Sequence, residues 1–198
     1  MRLINTTTYE FSEFHGDDIP KYAILSHTWE NDEVSFQEWE FSRERQRRKL
    51  DMLKLKRRVD WRQKLDWPDV VEGKAEEVGT QLGKQLREEL SKSRWFTRSW
   101  TLQELLAPSK VVFYSKNWVV LGDKSSILTH VISDITGIDA SYLLGNSPIT
   151  AASVALRMFW ISRRRTTRVE DMAYCMLGIF DINMPLLYGE GMKAFVRL

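Results

Sequence analysis

Beyond residue 93 the apolar residues fall into short blocks whose period runs from helix to strand and back to helix. Trp95, Leu102, Leu105 and Leu106 recur at helical spacing, so 93–108 predicts one short helix. Thr97 and Ser99 are its candidate N-caps, and Pro108 closes it because proline cannot continue the hydrogen-bond ladder. Trp100 and Glu104, four apart, share a neighbouring stripe at its edge. After Pro108 the period shortens: Val111-Val-Phe-Tyr114 and Trp118-Val-Val-Leu121, parted by Ser115-Lys-Asn117, predict a strand pair. Asp123 or Ser125 can cap a helix carrying Ile127, Leu128, Val131, Ile132 and Ile135 and ending at Gly137. A further helix is predicted from about Ala151 to Trp160, with Arg163, Arg164 and Arg165 crowding its carboxyl end, where positive charge suits the helix dipole. Those three guanidiniums could also hold a phosphate or an acidic partner. Thr167-Arg-Val-Glu170 has capping-box spacing, which assigns Glu170 to structure rather than chemistry. The segment 171–179 is apolar nearly all round and should be buried, and 192–198 begins an amphipathic helix in which the chain stops.

The amino-terminal part reads differently. Leu3 and Ile4 precede a turn at Asn5-Thr-Thr-Thr8, and Tyr22-Ala-Ile-Leu25 is a nearly continuous apolar run of the type found in strands covered on both faces. Ser26, His27, Thr28 and Trp29 follow at its carboxyl end, the end at which open α/β sheets bind ligands. A hydroxyl, an imidazole and an indole suit a polar ligand with an aromatic ring. The same letters also fit Ser26 and Thr28 capping a turn, with His27 bonded to nearby backbone. From 43 to 64, eleven basic residues stand against three acidic ones in a charged, helix-prone segment, and 66–92 continues polar; 43–92 holds no convincing strand.

Composition narrows the class. With 198 residues and eight tryptophans the chain can bury one core. A net charge of +2 is too small to argue for nucleic acid or a membrane as partner, leaving 43–64 as the one candidate basic patch; neither partner is expected. The single cysteine, Cys175, excludes an internal disulfide and argues against a cysteine-based zinc site. It reads as a small buried apolar residue. No secretory leader is visible at the amino terminus, and no apolar run approaches the roughly 20 residues that span a bilayer. The expected location is cytoplasmic. Neither zinc spacing, a phosphate-cradling glycine loop, a nucleophile elbow nor an internal repeat occurs, so no metal is expected. For proton transfer or stabilising a cation, Glu104 beside the indole of Trp100 is the candidate carboxylate, although a solvated glutamate at a helix end fits equally.

Three blocks carry a family resemblance: Tyr22-Ala-Ile-Leu-Ser-His-Thr-Trp29, the tryptophan-rich stretch 93–108, and 163–191 with Arg-Arg-Thr-Thr, Val-Glu-Asp-Met-Ala-Tyr-Cys-Met-Leu-Gly-Ile-Phe and Tyr-Gly-Glu-Gly. Together they resemble the fungal heterokaryon incompatibility (HET) domain, which triggers cell death when unlike individuals fuse. That family is remotely similar to TIR domains. The resemblance implies one domain over 1–198: an α/β, TIR-like or flavodoxin-like three-layer fold with a short, depleted parallel sheet, a strand pair after the Trp-rich helix and a helical carboxyl-terminal part. It implies that Ser26, His27, Trp29 and Trp100 line a nucleotide pocket and that Glu104 is the catalytic carboxylate, with NAD as candidate substrate and no firm cofactor. Breaking the bond between nicotinamide and ribose creates an oxocarbenium-like cation, which such a carboxylate would stabilise. Family members usually carry a strand and loop reading like Trp-Val-Asp-Thr-Cys-Cys-Ile-Asp before the Trp-rich helix; here 43–92 stands in its place. Loss of central strands should narrow the sheet and expose part of 22–25. Protein partners or self-association are expected. Two alternatives stay open: a non-catalytic interaction module, and a degenerate, inactive copy.

Overall fold

Asn5 turns the chain near its start. β1 (Arg2–Ile4) and β2 (Phe11–Glu13) pair antiparallel with Ile4 opposite Phe11. The Asn5 amide donates to the Glu10 carbonyl at 2.8 Å, while its side-chain oxygen accepts from the Thr8 amide at 3.0 Å. An asparagine that bonds its own turn backbone is well suited to this position. The hairpin belongs to the first of two compact units, Met1–Val71 and Glu72–Leu198. The computed structural model describes residues 2–5, 8, 10–16, 19–26, 81–114, 120–126 and 128–198.

The run 22–25 is not the strand its letters suggest. Among the described residues it has no ladder partner, and Ile24 is 71 % exposed. An apolar run becomes a parallel strand only where neighbours take its amides and carbonyls. Among the described residues both ladders are two-stranded and antiparallel, and parallel pairing is confined to an isolated bridge between Arg98 and Arg165. The fold is thus mixed helix and strand, without the parallel three-layer sheet among the described residues.

In the second unit the expected strand pair is present: β3 (Val112–Tyr114) and β4 (Val120–Asp123) pair antiparallel, with an irregularity between Phe113 and Tyr114. Ahead of them lie α1 (Gln81–Ser91), a 3-10 turn (Arg94–Thr97) and α2 (Thr101–Leu106). The single helix expected over 93–108 is therefore two pieces. Neither Thr97 nor Ser99 caps α2: Trp100 occupies that position with helical backbone and no side-chain bond, while Ser93 caps the 3-10 turn. The break lies between Thr97 and Thr101, whose hydroxyl stands 2.6 Å from the Trp95 carbonyl and 2.7 Å from that of Arg98.

After β4 come α3 (Leu128–Thr136), α4 (Ala140–Leu143), α5 (Val154–Ser162), α6 (Asp171–Tyr174), α7 (Leu177–Phe180) and α8 (Lys193–Arg197). Gly137 stops α3 at φ 70°, where a β-carbon would stand 2.6 Å from the Phe159 ring. Ser153 caps α5 by accepting from the Leu156 amide at 3.2 Å. The helix expected over 171–179 is split into α6 and α7, yet Ala173, Tyr174, Cys175, Met176 and Ile179 are buried as its composition requires. One cluster gathers Leu102, Leu105, Leu106, Leu128, Ile132, Leu143 and Trp160; a smaller one gathers Ala173, Tyr174 and Ala194.

Candidate functional site

α2 stands between those two clusters. Leu102, Leu105 and Leu106 enter the larger, with Trp95 packed against it, whereas the half-buried Trp100 packs on the smaller. Burying each leucine contributes roughly 2 kcal/mol. Glu104 lies one turn beyond Trp100, also half-buried, and its amide reaches the Trp100 carbonyl at 3.5 Å. The two residues thus stand one helical turn apart, as their spacing predicts. Ser26 is half-buried in the first unit; His27 and Trp29 lie outside the described residues, as does the basic run 43–64.

Two side chains from elsewhere in the chain, Lys124 and Arg164, and one of the helix's own, Gln103, fix α2, and sequence reasoning gave the first two no part in it. Lys124 is buried, and its ammonium donates to the Leu105 carbonyl at 3.1 Å and to the Pro108 carbonyl, satisfying acceptors at the helix end. Burial holds its pKa below the ordinary lysine value. Gln103 Nε2 donates to the Cys175 carbonyl at 2.5 Å, tying α2 to the segment between α6 and α7. Arg164 is only 7 % exposed; its Nη1 donates to the Arg98 carbonyl at 2.9 Å and the Thr101 hydroxyl at 2.8 Å, and its Nε to the Trp160 carbonyl at 3.3 Å. Burial pushes this guanidinium down to about 10, still charged at neutral pH. Cys175, buried as expected, has its thiol pushed up to about 12, chiefly by the same desolvation.

The triple arginine is thus not one patch. Arg163 is exposed and sits over the Phe159 ring at 5.5 Å, Arg164 is buried, and Arg165 joins the bridge through its backbone, donating to the Thr97 carbonyl at 2.7 Å and accepting from the Ser99 amide at 3.0 Å. Only the alternation of a bridge strand, which turns successive side chains to opposite sides, could have signalled this.

Glu170 is structural, although not as a capping box. Its Oε1 accepts from the Gly189 amide at 2.8 Å and the Gly191 amide at 3.0 Å, so it holds the Tyr-Gly-Glu-Gly turn. Its own backbone amide and those of the two glycines keep its carboxyl below the usual range. Beside it the Tyr174 hydroxyl donates to Glu190 at 2.8 Å and accepts from the Leu187 amide at 2.7 Å. Arg197 Nε donates to Glu190 at 3.0 Å, its Nη2 to the same carboxylate and to the Pro185 carbonyl, and the Tyr188 hydroxyl to Asp171 at 3.0 Å. Glu190 is held low chiefly by Arg197. Among the described residues no group of His, Cys, Asp and Glu is arranged to hold a metal, and no helix is long and apolar enough to cross a membrane.

No family model and no solved structure matches the chain. It is similar to the vegetative incompatibility protein HET-E-1 of Podospora anserina, 36 % identical over 217 residues that take in 91 % of this chain and 16 % of that protein. The heterokaryon-incompatibility resemblance of the three blocks therefore extends over nearly the whole chain. It spans about a sixth of the length of that curated relative. Because 217 aligned residues exceed the 198 of the entire chain, the matched region of the relative contains residues with no counterpart here.

Proposed function

We propose that this chain is a heterokaryon-incompatibility module whose activity lowers the viability of the fungal cell that contains it. The observation that carries this reading is the 36 % identity to HET-E-1 across 91 % of the chain. Regulated expression in a filamentous fungus tests it. Colony growth should fall on induction, and undiminished growth with the protein present at confirmed levels would reject the proposal.

To the module we assign hydrolysis of NAD: water adds at the ribose carbon, nicotinamide leaves, and ADP-ribose and a proton complete the products. Glu104 would stabilise the cationic ribose, with Trp100 beside it. Support comes from the TIR resemblance and from a helix held at Lys124, Gln103 and Arg164, since a catalytic carboxylate gains most when its scaffold is fixed in advance. Purified protein should release nicotinamide from NAD, and Glu104→Gln should slow the release at least about a hundredfold, the scale of losing one electrostatic stabiliser. Equal traces from both proteins would reject the chemistry while leaving the growth result intact. The non-catalytic alternative is favoured by the exposed Leu186, Leu187, Tyr188, Met192 and Val196, and its mark would be growth inhibition with protein complexes and no nicotinamide release.

A further inference from the structure

Of the five N–H donors on the Arg164 guanidinium, three are accounted for. Nε serves the Trp160 carbonyl, and the two hydrogens of Nη1 serve the Arg98 carbonyl and the Thr101 hydroxyl. Nη2 is buried and has no hydrogen-bond partner among the described residues, nor does any described carboxylate pair with this cation. The clamp on α2 therefore explains half of the fork and leaves the other half, with its charge, unexplained. Buried polar groups in folded proteins are overwhelmingly paired, and a buried charge requires an opposite one.

Arg164 also lines a cavity of about 340 Å³ whose other walls come from α5, α6 and α8 and the segment after α6. Met158, Phe159, Met172, Met176 and Phe195 make it mostly apolar, and Ser99 and Ser162 are its remaining polar members. The volume lies in the range of small-molecule sites, which combine an apolar lining with a few polar groups that fix orientation. Methionine side chains adapt to varied apolar shapes. A second described hollow, lined by Lys84, Arg87, Glu88 and Asp134, offers no such case, because Arg87 and Asp134 already pair at 2.6 Å.

We propose that this cavity binds a small amphipathic monocarboxylate, its apolar body against the methionines and phenylalanines and one carboxylate oxygen on Nη2 of Arg164, an atom now sealed from water that a small shift of the Arg164 side chain must turn toward the cavity. Geometry selects the charge. With both Nη1 hydrogens committed, the side-on bidentate grip is closed and a single oxygen is taken end-on. One negative charge neutralises the one cation, whereas a dianion would bring a second charge into the apolar lining without a partner. The site is separate from Glu104 and stands or falls independently of NAD cleavage.

Octanoate and its neutral counterpart 1-octanol test the inference by calorimetric titration into the purified chain. Octanoate should bind at least about tenfold more tightly than octanol, and Arg164→Gln should erase that preference. Because Arg164 also holds α2, a second variant leaves it in place: Ala155→Trp, at an exposed position on the cavity wall, should weaken octanoate at least about tenfold while the unliganded unfolding midpoint stays unchanged. Equal affinity for octanoate and octanol, absence of binding by either, or undiminished octanoate binding in Ala155→Trp would each overturn the assignment.

Discussion

The seat of α2 and the carboxyl-terminal clasp are both well fixed, by opposite means. α2 is held by three buried leucines and by cations that donate to neutral carbonyls, Lys124 to Leu105 and Pro108, Arg164 to Arg98. The clasp closes over a cluster of only Ala173, Tyr174 and Ala194, and is held by carboxylates that accept: Glu170 from two glycine amides, Glu190 from Tyr174 and Arg197. Apolar burial has no direction and no pH dependence, whereas a carboxylate on backbone amides has both. The unit should therefore keep α2 seated in acid while its clasp loosens.

Leu105→Ala is expected to have the largest effect. Leu105 is fully buried in the larger cluster, and its truncation should destabilise by about 3 kcal/mol, equally at pH 4 and pH 7 in denaturant titration. A loss that grows on acidification would mean that the seat depends on charge after all. Next comes Lys124→Met, which strips the donor from the Leu105 and Pro108 carbonyls and should cost about 2 kcal/mol. Its pH dependence has the same sign as that of the clasp but falls in the alkaline range instead of the acid one. The folded-state pKa of Lys124 lies below 10.5, so between the two values the unfolded chain binds more protons and stability rises with pH. That rise should vanish in Lys124→Met.

How far the letters carried differs between the same two regions. The strand pair, α3, α5 and α8 were legible because each shows its own period, with Gly137 closing α3 and the turn at 188–191 preceding α8, and these signals act within a few residues; the start of α5 at Ser153 was not, being expected near Ala151. That Trp100 and Glu104 stand one turn apart was legible for the same reason, since the helical period fixes that spacing wherever the helix is placed. Tyr22-Ala-Ile-Leu25 misled because a parallel strand is a property of its neighbours, and nothing within four apolar residues records whether those exist. Arg164 was hidden by the two arginines beside it: the bridge at Arg165 turns the middle side chain inward, and its partners lie some sixty residues earlier. Glu170 was assigned to structure correctly but to the wrong amides, because the capping-box pattern weighs donors three residues away and not those at 189 and 191.

Within the clasp, two smaller changes separate backbone shape from charge. Gly191 has φ 61° and open space around a would-be β-carbon, so Gly191→Ala meets only the left-handed backbone penalty, about 1 kcal/mol, and this should not vary with pH. Glu170→Gln keeps the shape and removes the charge, and its effect should be confined to the acid limb. The folded-state pKa of Glu170 lies below its ordinary 4.5, so the folded chain holds fewer protons there and the carboxylate contributes stability that is fully present above 4.5. That contribution disappears as pH falls through the depressed folded value. Stability measured from pH 7 down to pH 2 should therefore fall less steeply below 4.5 in Glu170→Gln than in the parent chain. Identical acid limbs would move the acid sensitivity to Glu190, whose carboxyl is also held low but by Arg197. Salt distinguishes the two origins: the Glu190 pairing with the partly exposed Arg197 weakens at high ionic strength, while the short bonds from the Gly189 and Gly191 amides to Glu170 do not.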